Sequence, residues 1–179
     1  MALLGVLCLI SICYLFFLGE NIRNNSPKKI VYYASNVSVV GPLIVKYLLA
    51  DGKWHEKHPF IELGGGLAPL ARYVGRCLTF TKLIAIEWTR SLCAAGRIKN
   101  VFAKPQIKYV RELIENYAVP EPSVLYCYLS EKILTEQYER GLFSGCLVFC
   151  LTFKIIGVEP TAELPVNSWQ SPLRVYDFR

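Results

Sequence analysis

Between positions 60 and 68 the chain reads Phe-Ile-Glu-Leu-Gly-Gly-Gly-Leu-Ala, and a helix-like pattern opens at once. A four-residue apolar run closed by glycines and followed directly by a helix is a strand–turn–helix unit, whose strand is buried in a parallel sheet. The glycines let the backbone come close to a ligand, and the helix start presents free N–H groups. The turn lacks the dinucleotide fingerprint, because Pro69 stands three residues after Gly66, and it lacks the Gly-Lys-Ser/Thr ending of a phosphate loop. Glu62, two residues before Gly64, suits a ligand with a positive amino group better than a pyrophosphate.

A second strand, Leu83-Ile84-Ala85-Ile86, ends in Glu87, 23 residues after Gly64, with Trp88 next to it. In a doubly wound sheet an acid there lies beside the first turn, where a carboxylate accepts both hydroxyls of a ribose. The indole of Trp88 suits the face of a purine. The pair of signals points to a nucleoside ligand held across Gly64, Gly65, Gly66, Glu87 and Trp88.

The rest of the chain continues the alternation. Helices are expected over 38–50, 67–77, 89–98 and 131–140, and strands over 59–63, 82–87, 106–110, 123–129 and 145–153. Two further short runs, 164–169 and 173–178, flank Gln170-Ser171-Pro172 and read as a terminal antiparallel hairpin. The fold class is therefore α/β: a three-layer, doubly wound, mostly parallel sheet of Rossmann type with a C-terminal antiparallel hairpin.

Composition matters for what precedes this domain. Charged residues are 19% of the 179 and hydrophobic ones 53%, more apolar than soluble domains usually are. Part of the surplus sits in Ala2–Gly19, which has no charged side chain. As a helix of about 1.5 Å per residue it would span a hydrocarbon core. A cleaved signal is the alternative, but the segment has neither a positive n-region nor a small-x-small site. The expected organisation is a single transmembrane helix at 1–19, a polar linker at 20–36 and a folded domain at 37–179. Arg23, Lys28 and Lys29 follow the span, so the positive-inside rule puts the domain on the cytoplasmic side, or the equivalent matrix side.

Other chemistry is scarce. The seven cysteines form no C-x-x-C pair and read as reduced, mostly buried thiols. His55 and His58 lie in a polar connector with nothing spaced to complete a metal site or triad, and read as turn or surface residues. Residues 52–111 carry eleven Lys/Arg against three acids, whereas 112–139 carry six Glu against one Lys. With no arginine-rich cluster, nucleic acid is not the expected partner, and beside an anchor, lipid headgroups fit a basic surface better.

On these residues the chain resembles the class I S-adenosylmethionine-dependent methyltransferases. Glu62, Gly64, Gly66 and Ala68 match the family's first motif, and Glu87 matches its ribose-binding acid. The resemblance runs from about Tyr32 to the C-terminus. It implies S-adenosylmethionine as cofactor, with Glu62 and the turn around the methionine end and Glu112 toward the adenine amine. The anchor, the run Val124–Ser130 with the polar helix after it, and the stretch 147–160 resemble the membrane-anchored protein-lysine methyltransferases of the ATP synthase c subunit and the ADP/ATP translocase, with their prokaryotic relatives. That likeness implies a lysine of a membrane-associated protein as acceptor, membrane lipid around residues 2–19, and Tyr126, Tyr128, Leu129 and Ser130 facing the methyl group. Tyr32 and Tyr33 would close the pocket. A small-molecule or lipid acceptor, or an inactive cofactor-binding assembly module, stays open at this point.

Overall fold

The computed structural model describes residues 36–52, 54–120, 122–166 and 172–179. The expected anchor, the linker up to Ser35, Tyr32 and Tyr33 lie outside them. Among the described residues no helix is long and apolar enough to cross a membrane.

Among the described residues four helices, α1 (Val37–Ala50), α2 (Pro69–Cys77), α3 (Arg90–Phe102) and α4 (Glu131–Glu139), alternate with the strands of one sheet. The strands are β1 (Phe60–Leu63), β2 (Leu83–Ile86), β3 (Lys108–Val110), β4 (Val124–Cys127), β5 (Leu147–Leu151), β6 (Ala162–Leu164) and β7 (Leu173–Asp177). Their spatial order is β3-β2-β1-β4-β5-β7-β6. The pairs from β3 through β5 are parallel, and β7 is antiparallel to both of its neighbours. Every residue of β1, β2, β4 and β5 is buried, which explains why these strands read as continuous apolar runs without alternation.

The two faces are covered differently. Val40, Ile44 and Leu48 of α1 and Leu70, Ala71 and Val74 of α2 pack with Phe60, Ala85, Tyr126 and Phe149 on one face. On the other, Ile61, Ile84, Leu125 and Val148 meet Leu134 of α4 and the loop residues Phe143 and Ile155. After β3, among the described residues, this second face receives only a short 3₁₀ turn, Ile114–Asn116. Cys93, Cys127, Cys146 and Cys150 are free and buried, and Cys77 is free and exposed. Burial raises the Cys127 thiol, reinforced by the neighbouring Cys150 and Cys146, so it packs as a hydrophobe.

Three expectations are corrected. β6 occupies 162–164, starting before the expected 164–169 and ending before Pro165, since Pro160 and Pro165 bracket it and a proline cannot donate to the ladder; 167–169 lie outside the described residues. α3 continues to Phe102, four residues beyond Ile98. His55 is buried against Phe80 and is no surface residue.

Arg179 closes the amino edge of the sheet. Its guanidinium donates to the Asp51 carboxylate at 2.5 and 2.9 Å and to Asp177, and lies 4.9 Å from the Trp54 ring centroid. These hydrogen bonds hold the Asp177 carboxyl below its ordinary pKa. They tie β7 to the end of α1.

Candidate functional site

Register brings the candidate residues to one edge. Leu63 is paired with Ile86 on one side and Cys127 on the other, and Ile86 with Val110. The next residues, Gly64, Glu87, Arg111 and Tyr128, therefore all leave the sheet at its carboxyl edge. β1 lies between β2 and β4, where the chain's connections reverse direction. In open α/β sheets ligands bind in the crevice at that point.

The turn after β1 is held by its backbone. The N–H groups of Gly64 and Gly65 both donate to the Ile86 carbonyl at 3.0 Å. Gly64 and Gly66 have φ of 72° and 53°, which excludes most side chains. A Cβ on Gly65 would lie 3.1 Å from that of Ala85, whereas one on Gly66 would meet nothing within 4 Å. The turn is thus packed underneath and open above at Gly66. Ala68, also left-handed at φ 48°, ends the turn as the residue before α2. Pro69 then starts the helix, where a missing N–H costs nothing.

The two acids have different roles. Glu62 is buried beneath the turn, and its Oε2 accepts the Ala71 N–H at 2.7 Å. The Leu70 N–H is a second backbone donor to it. It therefore satisfies the exposed amides of the α2 N-terminus. Burial pushes its carboxyl up to about 8, and the two backbone hydrogen bonds only partly oppose that shift. Glu87 is 3% exposed, with Oε2 accepting the Gly66 N–H at 3.0 Å and Oε1 the Thr89 N–H at 2.8 Å. Each oxygen keeps a further lone pair for a ligand hydroxyl.

Trp88 follows at the same edge, half-buried, and its indole N–H finds no partner among the described residues. Its carbonyl accepts from Nε of Arg111 at 3.4 Å. Glu112 turns back on its own loop, accepting the Leu113 N–H at 3.2 Å and the Asn116 side-chain amide at 3.5 Å.

Of the residues expected at the methyl group, Tyr126, Tyr128 and Ser130 are separated. Tyr128 is half-buried at the end of β4, its ring 6.2 Å from that of Phe153 after β5. Tyr126 is 1% exposed, in the core under α1 and α2. The Ser130 Oγ accepts the Ile133 N–H at 3.5 Å as the N-cap of α4.

Tyr109 escapes sequence reasoning, whereas Leu129, expected at the methyl group, is found against the glycine turn. The Tyr109 hydroxyl donates to the Leu67 carbonyl at 2.7 Å and props the glycine turn from β3. Leu129 lies 3.3 Å from where a Gly64 Cβ would be, closing the turn on the β4 side. A tyrosine at the middle of a strand whose other residues are only half-buried or exposed is the one available signal for Tyr109.

With this strand order, β7 antiparallel, and a glycine turn and acid at the carboxyl edge, the fold is that of the class I S-adenosylmethionine-dependent methyltransferases. Solved structures agree. An RNA methyltransferase of Salinibacter ruber, in complex with S-adenosyl-L-homocysteine, superposes with a TM-score of 0.61 at 13% identity, covering 82% of this chain and 94% of that one. The putative methyltransferase yhhF of Escherichia coli gives 0.58 at 13% identity, covering 77% and 83%. A ribosomal protein L11 methylase of Lactobacillus delbrueckii subsp. bulgaricus gives 0.57 at 10%, covering 78% and 80%. No family model and no curated protein matches the sequence.

Proposed function

We propose that the chain is an S-adenosylmethionine-dependent methyltransferase, held at a membrane by residues 2–19 and acting on a lysine side chain of a membrane-associated protein. The observation that carries the reading is the meeting of Gly66 and Glu87 at the switch point: an open backbone turn directly bonded to a buried carboxylate with free lone pairs. The residues fit the cofactor. Glu87 would take the ribose hydroxyls, the Trp88 indole would lie along the adenine, and the turn from Gly64 to Gly66 would admit the methionine portion without a side chain in the way. The cofactor supplies a methyl group on a positively charged sulfur, open to in-line attack.

What remains for the protein is positioning and desolvation. A lysine attacks only as the neutral amine, and an apolar site lowers its pKa. Tyr128 and Phe153, the aromatic pair at the ends of β4 and β5, supply such a surface. The lysine ammonium must first release a proton to water; its nitrogen then bonds the methyl carbon as the carbon–sulfur bond breaks. The lysine acceptor and the membrane setting are supported by the apolar segment 2–19 and by the resemblance of residues 124–130.

Calorimetric titration of the full-length protein with S-adenosylmethionine tests the cofactor. Binding should be lost in Gly64→Arg and Glu87→Ala with the domain still folded by circular dichroism; unchanged affinity in both would place the cofactor elsewhere. Incubation with labelled cofactor and membrane extract then tests the acceptor. Label on a protein lysine supports the proposal, and label confined to lipid or small molecules rejects it.

A further inference from the structure

Helix α3 presents an apolar face to solvent. Ile98 is 64% exposed, Val101 74% and Phe102 86%. At 3.6 residues per turn these three fall within a sector of about 100°, opposite Cys93 and Gly96, the buried side of the 13-residue helix. That buried side is fixed on β3, the outermost strand, where a Cβ on Gly96 would lie 2.3 Å from the Tyr109 ring. The apolar sector is therefore a stable outward surface.

Its surroundings carry one sign of charge. From Thr89 to Arg111 there are six Lys/Arg and no acid. Arg97 and Lys99 flank the apolar sector on its two sides, and Lys104 follows its end, all three exposed. A helix with apolar side chains between cations has the pattern of a segment lying in the interface of an anionic bilayer. Nucleic acid would use the cations but offers Ile98 and Val101 no apolar surface. A second copy of this chain docked through the same face would bring cation against cation.

We propose that the outer face of α3, Ile98, Val101 and Phe102 fringed by Arg97, Lys99 and Lys104, docks on an anionic lipid bilayer. The inference rests on the membrane-anchored reading above and adds a second contact, made by the folded domain itself. A linker of 17 residues, 20–36, reaches at most roughly 56 Å, more than the roughly 38 Å breadth of a domain of this size. An anchored domain therefore has the reach to lay this helix on the surface. The contact would fix how the carboxyl edge of the sheet is presented to an acceptor in the same membrane.

The test uses the full-length protein with vesicles that contain a phosphatidylcholine carrying a photoreactive acyl chain. Cross-linked residues are mapped by mass spectrometry, with and without phosphatidylserine. Cross-links on α3 in phosphatidylserine vesicles support docking, provided they weaken with salt and by about fivefold for each of Lys99→Ala and Lys104→Ala. The triple variant Ile98→Ser, Val101→Ser, Phe102→Ser should lose them while keeping cross-links within residues 2–19. Cofactor affinity of that variant reports that the domain is still folded.

Wild-type cross-links confined to residues 2–19 would overturn the docking face and leave the anchor standing. Cross-links on α3 without any in 2–19 would overturn the anchor and leave the docking face. Equal α3 labelling with and without phosphatidylserine, or self-association in detergent that the triple variant abolishes, would also reject it.

Discussion

The carboxylate of Glu87 bonds the backbone N–H of Gly66 at 3.0 Å across 21 residues of sequence. This one contact joins the end of β2 to the turn after β1. Replacing Glu87 by Gln leaves a single acceptor oxygen where two N–H groups and a ligand need one. Glu87→Gln should lower S-adenosylmethionine affinity about ten- to a hundredfold, the worth of a charge-assisted hydrogen bond. Titration calorimetry measures it. A variant with unchanged affinity would show that the carboxylate serves the turn alone.

Glu62 makes a prediction about pH. Its folded pKa, near 8, is raised above that of an exposed glutamate by burial. Between roughly pH 4.5 and 8 the folded state binds more protons than the unfolded one, so this group's contribution falls as pH rises. Denaturation in Glu62→Gln, which keeps an oxygen for the Ala71 N–H, should show a weaker loss of stability over that window than wild type. Glu62→Leu should be less stable than Gln at every pH, because two helix N–H groups lose their acceptor.

Tyr126 and Tyr128, two positions apart, should separate stability from rate. Tyr126 lies in the core and Tyr128 at the edge beside Phe153. Tyr126→Phe is expected to shift the unfolding midpoint and leave kcat within about twofold, since the ring keeps its place in the core under α1 and α2. Tyr128→Ala should lower kcat at least tenfold, the cost of about 1.4 kcal/mol in positioning. Single-turnover rates and urea unfolding on both variants decide it.

A Cβ on Gly96 would press on the Tyr109 ring, and the hydroxyl of that ring holds the Leu67 carbonyl. Overpacking of this kind costs about 1–3 kcal/mol, partly offset by about 1 kcal/mol of helix propensity. Gly96→Ala should therefore be less stable than wild type and bind cofactor more weakly. In a Tyr109→Leu background the same substitution should cost much less. Additive effects in the four-protein cycle would show that the two residues do not communicate.

Much of this arrangement was legible in the residues. Four strands buried on both faces announced themselves as short apolar runs, and a glycine turn with an acid 23 residues on marked the crevice. Boundaries were less legible where a proline set them, as with Pro160 and Pro165 around β6. Which way a carboxylate turns is invisible to spacing. Glu62 was expected toward the ligand's methionine end, and its Oε2 is bonded to the start of α2, because a helix N-terminus directly above a buried acid offers donors at bonding distance. Ser130 likewise caps α4. Such local hydrogen bonds compete with a functional role at any position where a helix begins.

The unequal cover of the sheet has a kinetic consequence. On the α1–α2 side, helices press closely enough that a Cβ on Gly41 would reach within 2.5 Å of Tyr73. On the other side one nine-residue helix and loops do the same work. Local opening is easiest where fewest buried contacts must be broken. Amide exchange should accordingly be slowest in α1, α2 and β1 and fastest in the 3₁₀ turn at Ile114–Asn116 and the loop that carries Phe153. Phe153 lies on that more thinly covered side, whereas its ring partner Tyr128 packs against the α1–α2 cluster, so the aromatic pair bridges the two layers at the carboxyl edge and opening of the loop would displace one ring while the other stays seated.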